Sequence, residues 1–249
     1  MSVVFHRLIV IGLFCLIWQS LIFIFSFPPY ILPSPWAVVL TLIHQYRLLF
    51  QNTLPTLYEA FMGFILGAVF GVLSAIALHF ITTLKRFLLP FLITSQAVPA
   101  FALAPLLVIW FGYGAASKIA TCILVLFFPV TSAFYDGLQR TPTAYLDLAK
   151  TMNASRFNIL RHIQIPYALP YLASGLRLAA VFAPMGALIG EWVGSSQGLG
   201  FLLLNANAQM KIDLLFAVLI VVIVLTLSFY FMVDTLLKRW IYWKSEGET

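Results

Sequence analysis

The groups able to carry chemistry in this 249-residue chain are few, and their spacing excludes most reactions. Four histidines, His6, His44, His79 and His162, are scattered without the short intervals a metal site needs. Cys15 and Cys122 have no neighbouring partner and both lie in apolar runs, so no disulfide framework is indicated. No glycine is followed by lysine, which removes the heart of a phosphate-binding Walker loop. No serine, histidine and acid fall into a nucleophile arrangement. What remains is a handful of polar groups inside apolar sequence. Glu59 and Glu191 lie in or at the ends of apolar runs, where a carboxylate is costly and usually has a reason. Each either sits in headgroup water or lines a route for a polar solute. Gln96 and Pro99 share a run with Pro90, Thr94, Ser95 and Pro105. Proline in a membrane helix frees carbonyls that must find partners in protein or lining water, so this run reads as a plain bend or as a kink beside a polar path. Met185, between Pro184 and Gly186, belongs to a later run of the same kind. Glu59, Gln96, Pro99, Met185 and Glu191 are therefore the candidate path residues. Asp136 and Asp234 fall at the inner ends of their runs and read as solvated, and Asp213, at the start of the last run, reads as an interface residue.

The elements that must position these groups are set by composition. The chain is 62% hydrophobic and 9% charged, with mean hydropathy +1.01. A soluble domain is about 45–50% apolar and about 25% charged, so a water-soluble globular protein is excluded. A bilayer core takes roughly 20 mostly apolar residues per helix. Six runs qualify, at 8–27, 55–81, 87–111, 119–138, 169–189 and 214–237. The first is longer than the apolar part of a signal peptide and no Ala-x-Ala site follows, so it reads as an uncleaved anchor. After it comes a proline-rich segment from Phe27 to Pro35, expected as an external loop. In the second run Gly63, Gly67 and Gly71 stack on one face, a spacing that lets helix backbones approach closely.

Charge sets the orientation. With the N-terminus inside, one group holds Arg7, Lys85, Arg86, Arg140, Lys150, Arg156, Arg161, Arg177, Lys238, Arg239 and Lys244; the other holds only Arg47, Lys118 and Lys211. That bias places both termini and the 140–170 segment in the cytoplasm.

The 140–170 segment is the longest polar stretch. Thr141-Pro142 is a helix start with proline at the first helical position. Tyr145, Leu148, Ala149 and Met152 then form one apolar face. Asn153 suits the left-handed position that closes a helix, and Ser155 can cap a second helix carrying Phe157, Leu160 and Ile163, ended by Pro166. Helices this short are unstable alone in water, so they need the bundle's own face or another protein.

The stretch Asp147-Leu148-Ala149-x3-Asn153-x9-Ile163-x-Ile165-Pro166 resembles the EAA-x3-G-x9-I-x-L-P signature of binding-protein-dependent ABC importer permeases. It departs from it by Asp for Glu, Leu for the first Ala and Asn for Gly. Leu32-Pro33-Ser34-Pro35, Gly63-Phe64-x2-Gly67, Gly175-Leu176-Arg177 and Gly190-Glu191-Trp192-Val193-Gly194-x3-Gly198-Leu199-Gly200 are similar to the nitrate, sulfonate, taurine and thiamine-precursor group. The run 191–213 looks most like permeases for the pyrimidine precursor of thiamine.

The resemblance implies an all-α, six-span type I importer permease in the inner membrane, with coupling helices between the fourth and fifth spans. Its organisation would be an anchor and loop at 1–54, a permease core at 55–240 and a cytoplasmic tail at 241–249. It further implies a second copy of the chain, a separate ATP-binding subunit carrying ATP and Mg, a periplasmic or lipid-anchored binding protein, and contact with lipid but not nucleic acid. Asp147, Leu148, Ala149, Met152, Asn153, Ile163, Ile165 and Pro166 would couple the chain to the ATPase, with no cofactor of its own. A permease for sulfonate, taurine or a related small anion is the alternative, and a membrane enzyme or channel a more remote one.

Overall fold

The computed structural model describes residues 2–241 and 243, and its regular elements are all helical among those residues. In order they are α1 (Ser2–Phe25), α2 (Pro35–His44), α3 (Tyr46–Phe80), α4 (Thr82–Ser95), α5 (Ala100–Phe111), α6 (Ala115–Gln139), α7 (Thr143–Thr151), α8 (Arg156–Ile159), α9 (Ile165–Trp192), α10 (Leu199–Ala208) and α11 (Ile212–Trp240). A π-turn over Leu160–Gln164 joins α8 to α9. Among the described residues, α3, α6, α11 and the continuous run Arg156–Trp192 are each long and apolar enough to cross a membrane. The six expected spans fall on α1, α3, the α4–α5 pair, α6, α9 and α11.

The core is α6 sandwiched between α3 and α9. Gly63, Gly67 and Gly71 all face α6: a Cβ on Gly67 would lie 3.0 Å from that of Leu126, and one on Gly71 2.7 Å from that of Val130. From the other side, added Cβ atoms on Gly175, Gly186 and Gly190 would meet Ala133 at 2.7 Å, the Cys122 Cα at 3.1 Å and the Lys118 Cα at 2.8 Å. Buried Ala60, Ala179, Ala180, Ala183 and Ala187 complete this small-residue core. Lipid tails are as apolar as leucine, so helices associate there through such close packing. At the edge of this core α11 lays Phe229 edge-on against Phe64, ring centroids 5.3 Å apart, and Asp234 accepts from Arg177 Nε at 2.7 Å and pairs with Lys238 at 3.3 Å. Asp234 is thus paired rather than simply solvated, and Asp213 accepts from Thr41 Oγ1 at 2.7 Å.

Several sequence expectations change. Ser34 accepts from the Ala37 amide at 3.2 Å and Pro35 opens α2, so the proline-rich loop runs into a capped helix. The second span begins at Tyr46, with Pro55 inside it. The third is broken: Pro99 lies extended (φ −60°, ψ 128°) at the cap of α5, and the residues before it turn instead of continuing α4, as expected where the residue preceding a proline is disfavoured in helical geometry. Helix α10 was not expected. Pro166 does not end a helix. It falls in the first turn of α9, where proline is tolerated, directly after the π-turn in which Ile165 N–H donates to Leu160 O. The expected tail lies outside the described residues except for Ile241 and Trp243.

Candidate functional site

Side chains of functional interest gather at the two ends of the bundle. At the end bearing α10, four helices contribute to one buried polar cluster. Lys118 of α6 pairs with Glu59 of α3 at 3.3 Å, with side chains 6% and 3% exposed. Glu191, near the end of α9, is 1% exposed and lies against Glu59. Its Oε1 accepts from Thr56 Oγ1 at 2.6 Å and its Oε2 from the Gly200 amide at 2.5 Å. Thr56 Oγ1 in turn accepts from the Leu199 amide at 2.9 Å, and Asn52 Oδ1 from the Gly198 amide at 2.9 Å. Gly198 has φ 107° and a Cβ there would overlap the Glu191 carboxyl, so glycine is required on two counts. Among the described residues Glu59 Oε2 has no hydrogen-bond partner.

This arrangement revises the sequence reading of both acids. Neither is in headgroup water, and neither presents an open face to a passing solute. Lys118, counted above among loop charges, is a buried counter-ion. Asn52, Thr56, Gly198 and Gly200 were missed as partners. The available signals were Thr56 one helical turn before Glu59 and the Gly198-x-Gly200 spacing.

The other candidate path residues lie apart from the cluster. Gln96 and Pro99 are exposed at the α4–α5 break, and Met185 is exposed on α9. Helix α9 is otherwise well buried, yet Tyr167, Ser174, Leu178, Val181, Met185 and Trp192 are exposed along it at helical spacing. Together they form a narrow stripe that the described residues do not cover.

At the opposite end, α7 and α8 form a hairpin. Pro142 sits at the cap rather than the first turn of α7, and the Thr141 hydroxyl turns back to Leu138 O at 3.2 Å. The helix closes through Asn153 at φ 55°, with the Asn153 amide donating to Lys150 O at 2.9 Å and the Ala154 amide to Ala149 O at 3.0 Å. That pair of bonds is a Schellman closure. Ser155 Oγ accepts from the Asn158 amide at 3.2 Å and caps α8. The apolar face divides: Ala149 is 6% exposed and faces the chain, whereas Tyr145, Leu148, Met152 and Phe157 are 55%, 61%, 73% and 61% exposed. Ala149 therefore offers no surface to a partner. Behind the hairpin, buried Gln164 in the π-turn meets His79 Nε2 of α3 at 3.0 Å. Ile163 and Ile165 are half-buried beside it. Among the described residues no cluster of His, Cys, Asp and Glu could hold a metal.

The described residues thus form a helical bundle with a glycine-lined core and an exposed apolar hairpin between two long helices. Residues 63–242 match the family of binding-protein-dependent transport system inner membrane components, and the chain belongs to that family. It is 51% identical over 235 residues to a probable ABC transporter permease protein of Haemophilus influenzae, covering 94% of this chain and 96% of that one. It is 40% identical over 174 residues, 70% of each chain, to a formylaminopyrimidine transport permease protein of Halalkalibacterium halodurans. To a riboflavin transport system permease protein of Chloroflexus aurantiacus it is 34% identical over 90% of this chain and 85% of that one. Its fold matches a chain from the crystal structure of an amino acid ABC transporter with TM-score 0.66 at 15% identity, covering 80% of this chain and 97% of that one. The chain is a multi-pass permease subunit of an ABC importer, not an enzyme: ATP hydrolysis resides in a separate subunit, and a substrate-binding protein supplies the solute.

Proposed function

We propose that this permease imports an aminopyrimidine precursor of thiamine. The observation that carries the reading is the 40% identity over 174 residues to the formylaminopyrimidine permease, beside the resemblance of the 191–213 run noted in the sequence. Electrostatics at the mouth lends no support, because Glu59 and Glu191 are buried and engaged. The solute would pass along the exposed stripe of α9, past Met185, and the α4–α5 break with Gln96 and Pro99; the buried acids stand behind this path. A second copy of the chain would close the other side, since the α9 stripe is apolar apart from Ser174 and narrow enough to form a helix seam.

Positive charge favours a cytoplasmic position for both termini and for α7–α8. There the bare Tyr145, Leu148, Met152 and Phe157 would enter a cleft on the ATP-binding subunit, which holds ATP and Mg. ATP-driven closure of that subunit would then reach α9 directly through the π-turn, with Asp147, Asn153, Ile163, Ile165 and Pro166 shaping the joint.

The deciding experiment is uptake in a strain lacking this gene and unable to make the pyrimidine. Growth restored by formylaminopyrimidine supports the reading. Restoration of taurine or alkanesulfonate use, without the pyrimidine, overturns it.

A further inference from the structure

A helix start leaves its first amides without intrahelical partners. At α10 the cap position is Gly198, which has no side chain to offer. Three side chains from other helices take the amides in order: Asn52 that of Gly198, Thr56 that of Leu199 and Glu191 that of Gly200. The Thr56 hydroxyl closes the ring by donating to Glu191 at 2.6 Å. The carboxylate also meets the positive end of the helix dipole. Thr56 and Glu191 are 0% and 1% exposed, so the Thr56–Glu191 part of the joint is buried, and three of the first amides of α10 are bonded there.

We propose that Glu191 is a positioning residue for transport: it fastens the start of α10 to α3 and α9, so that these three move as one body when the path opens. The inference rests on the chain's being a transport subunit and is independent of the solute. A clasp that opened in every cycle would strand a buried carboxylate and three helix amides, and unpaired buried groups of this kind are costly. Relative motion is then left to other joints, the α4–α5 break first among them. It also follows that Glu191 acts through α10 and does not touch cargo.

The test uses the whole complex in lipid vesicles, with the binding protein purified carrying its own solute and the delivered solute quantified by mass spectrometry. Glu191→Ala is expected to raise ATP hydrolysed per solute delivered by about fivefold or more, with the half-saturating binding-protein concentration within about twofold of wild type. Glu191→Gln, which keeps an oxygen for the Gly200 amide, should stay within about twofold on both measures. An unchanged ratio in the alanine variant overturns the proposal, as does glutamine behaving like alanine or a fivefold or larger shift in half-saturation, each about the scale of a lost direct contact. If the alanine variant does not assemble, Asn52→Cys with Gln197→Cys carries the test. Oxidation that leaves delivery intact supports one rigid body, and delivery lost on oxidation and regained with reductant overturns it. Wild-type vesicles that deliver nothing would instead overturn the transport reading itself.

Discussion

The two ends of the bundle handle polar and apolar groups in opposite ways. At the α10 end an ion pair, a second carboxylate and three helix amides are buried, and the chain satisfies nearly all of them itself. At the α7 end the ion pair Asp147–Lys150, at 2.9 Å, is two-thirds exposed, and four large apolar side chains stand bare. One end is finished; the other is half of an interface. The same chemistry, a carboxylate beside an ammonium, therefore has different weight at each place. In the interior the lost partner leaves an uncompensated charge, and at the surface water replaces it.

The sharpest way to break this contrast is to remove the buried cation. Lys118→Ala strands Glu59 and is expected to cost about 3–5 kcal/mol, seen as a collapse in the yield of folded, detergent-stable protein. Adding Glu59→Gln should restore most of that yield. A stable single variant would mean the α10 end is wetter than its burial implies.

Next in size is the bare face. Leu148→Asp and Met152→Asp are each expected to weaken association with the ATP-binding subunit by about 2 kcal/mol, roughly thirtyfold, the scale of an interface anchor. Melting of the isolated permease should not move. Co-purification of the ATPase at wild-type level would sink the assignment of this face. Ala149 is unsuited to the test, because bulk there strikes the chain itself.

Smaller still is the turn. Asn153→Ala, at φ 55°, should cost about 1 kcal/mol, measured by thermal melting, whereas Asn153→Gly should cost nothing. The smallest effect belongs to the surface pair: Lys150→Ala should change stability by about 0.5 kcal/mol or less. A loss at Lys150 equal to that at Lys118 would erase the contrast between the ends.

The long elements were legible because their signal is compositional. Runs of apolar residues mark α3, α6, α9 and α11, and the Gly63, Gly67, Gly71 stripe announces close packing without naming its partner, α6. Asn153 and Ser155 were legible because turn and cap chemistry is local. What depends on distant partners was not. Glu59 and Lys118 meet only when α3 and α6 pack, so a count of flanking charges places Lys118 in a loop. Helix α10 spans only Leu199–Ala208 and takes its caps from elsewhere, leaving no start signal of its own. Helical periodicity gathers Tyr145, Leu148, Ala149 and Met152 on one face, but where that face bends around the helix only packing decides, and Ala149 falls on the inward edge.

The crossing of α6 between its two neighbours has a practical consequence. Cys122 is fully buried there, with Gly63 of α3 on one side and Gly186 of α9 on the other. Cys15, on α1, is only half-buried. A membrane-permeant alkylating reagent should therefore consume Cys15 and spare Cys122 for as long as the three helices stay together. The rate at which Cys122 is finally modified becomes a clock that ticks each time they part. The native chain thus carries, without a single substitution, both a reporter of core breathing and its internal reference.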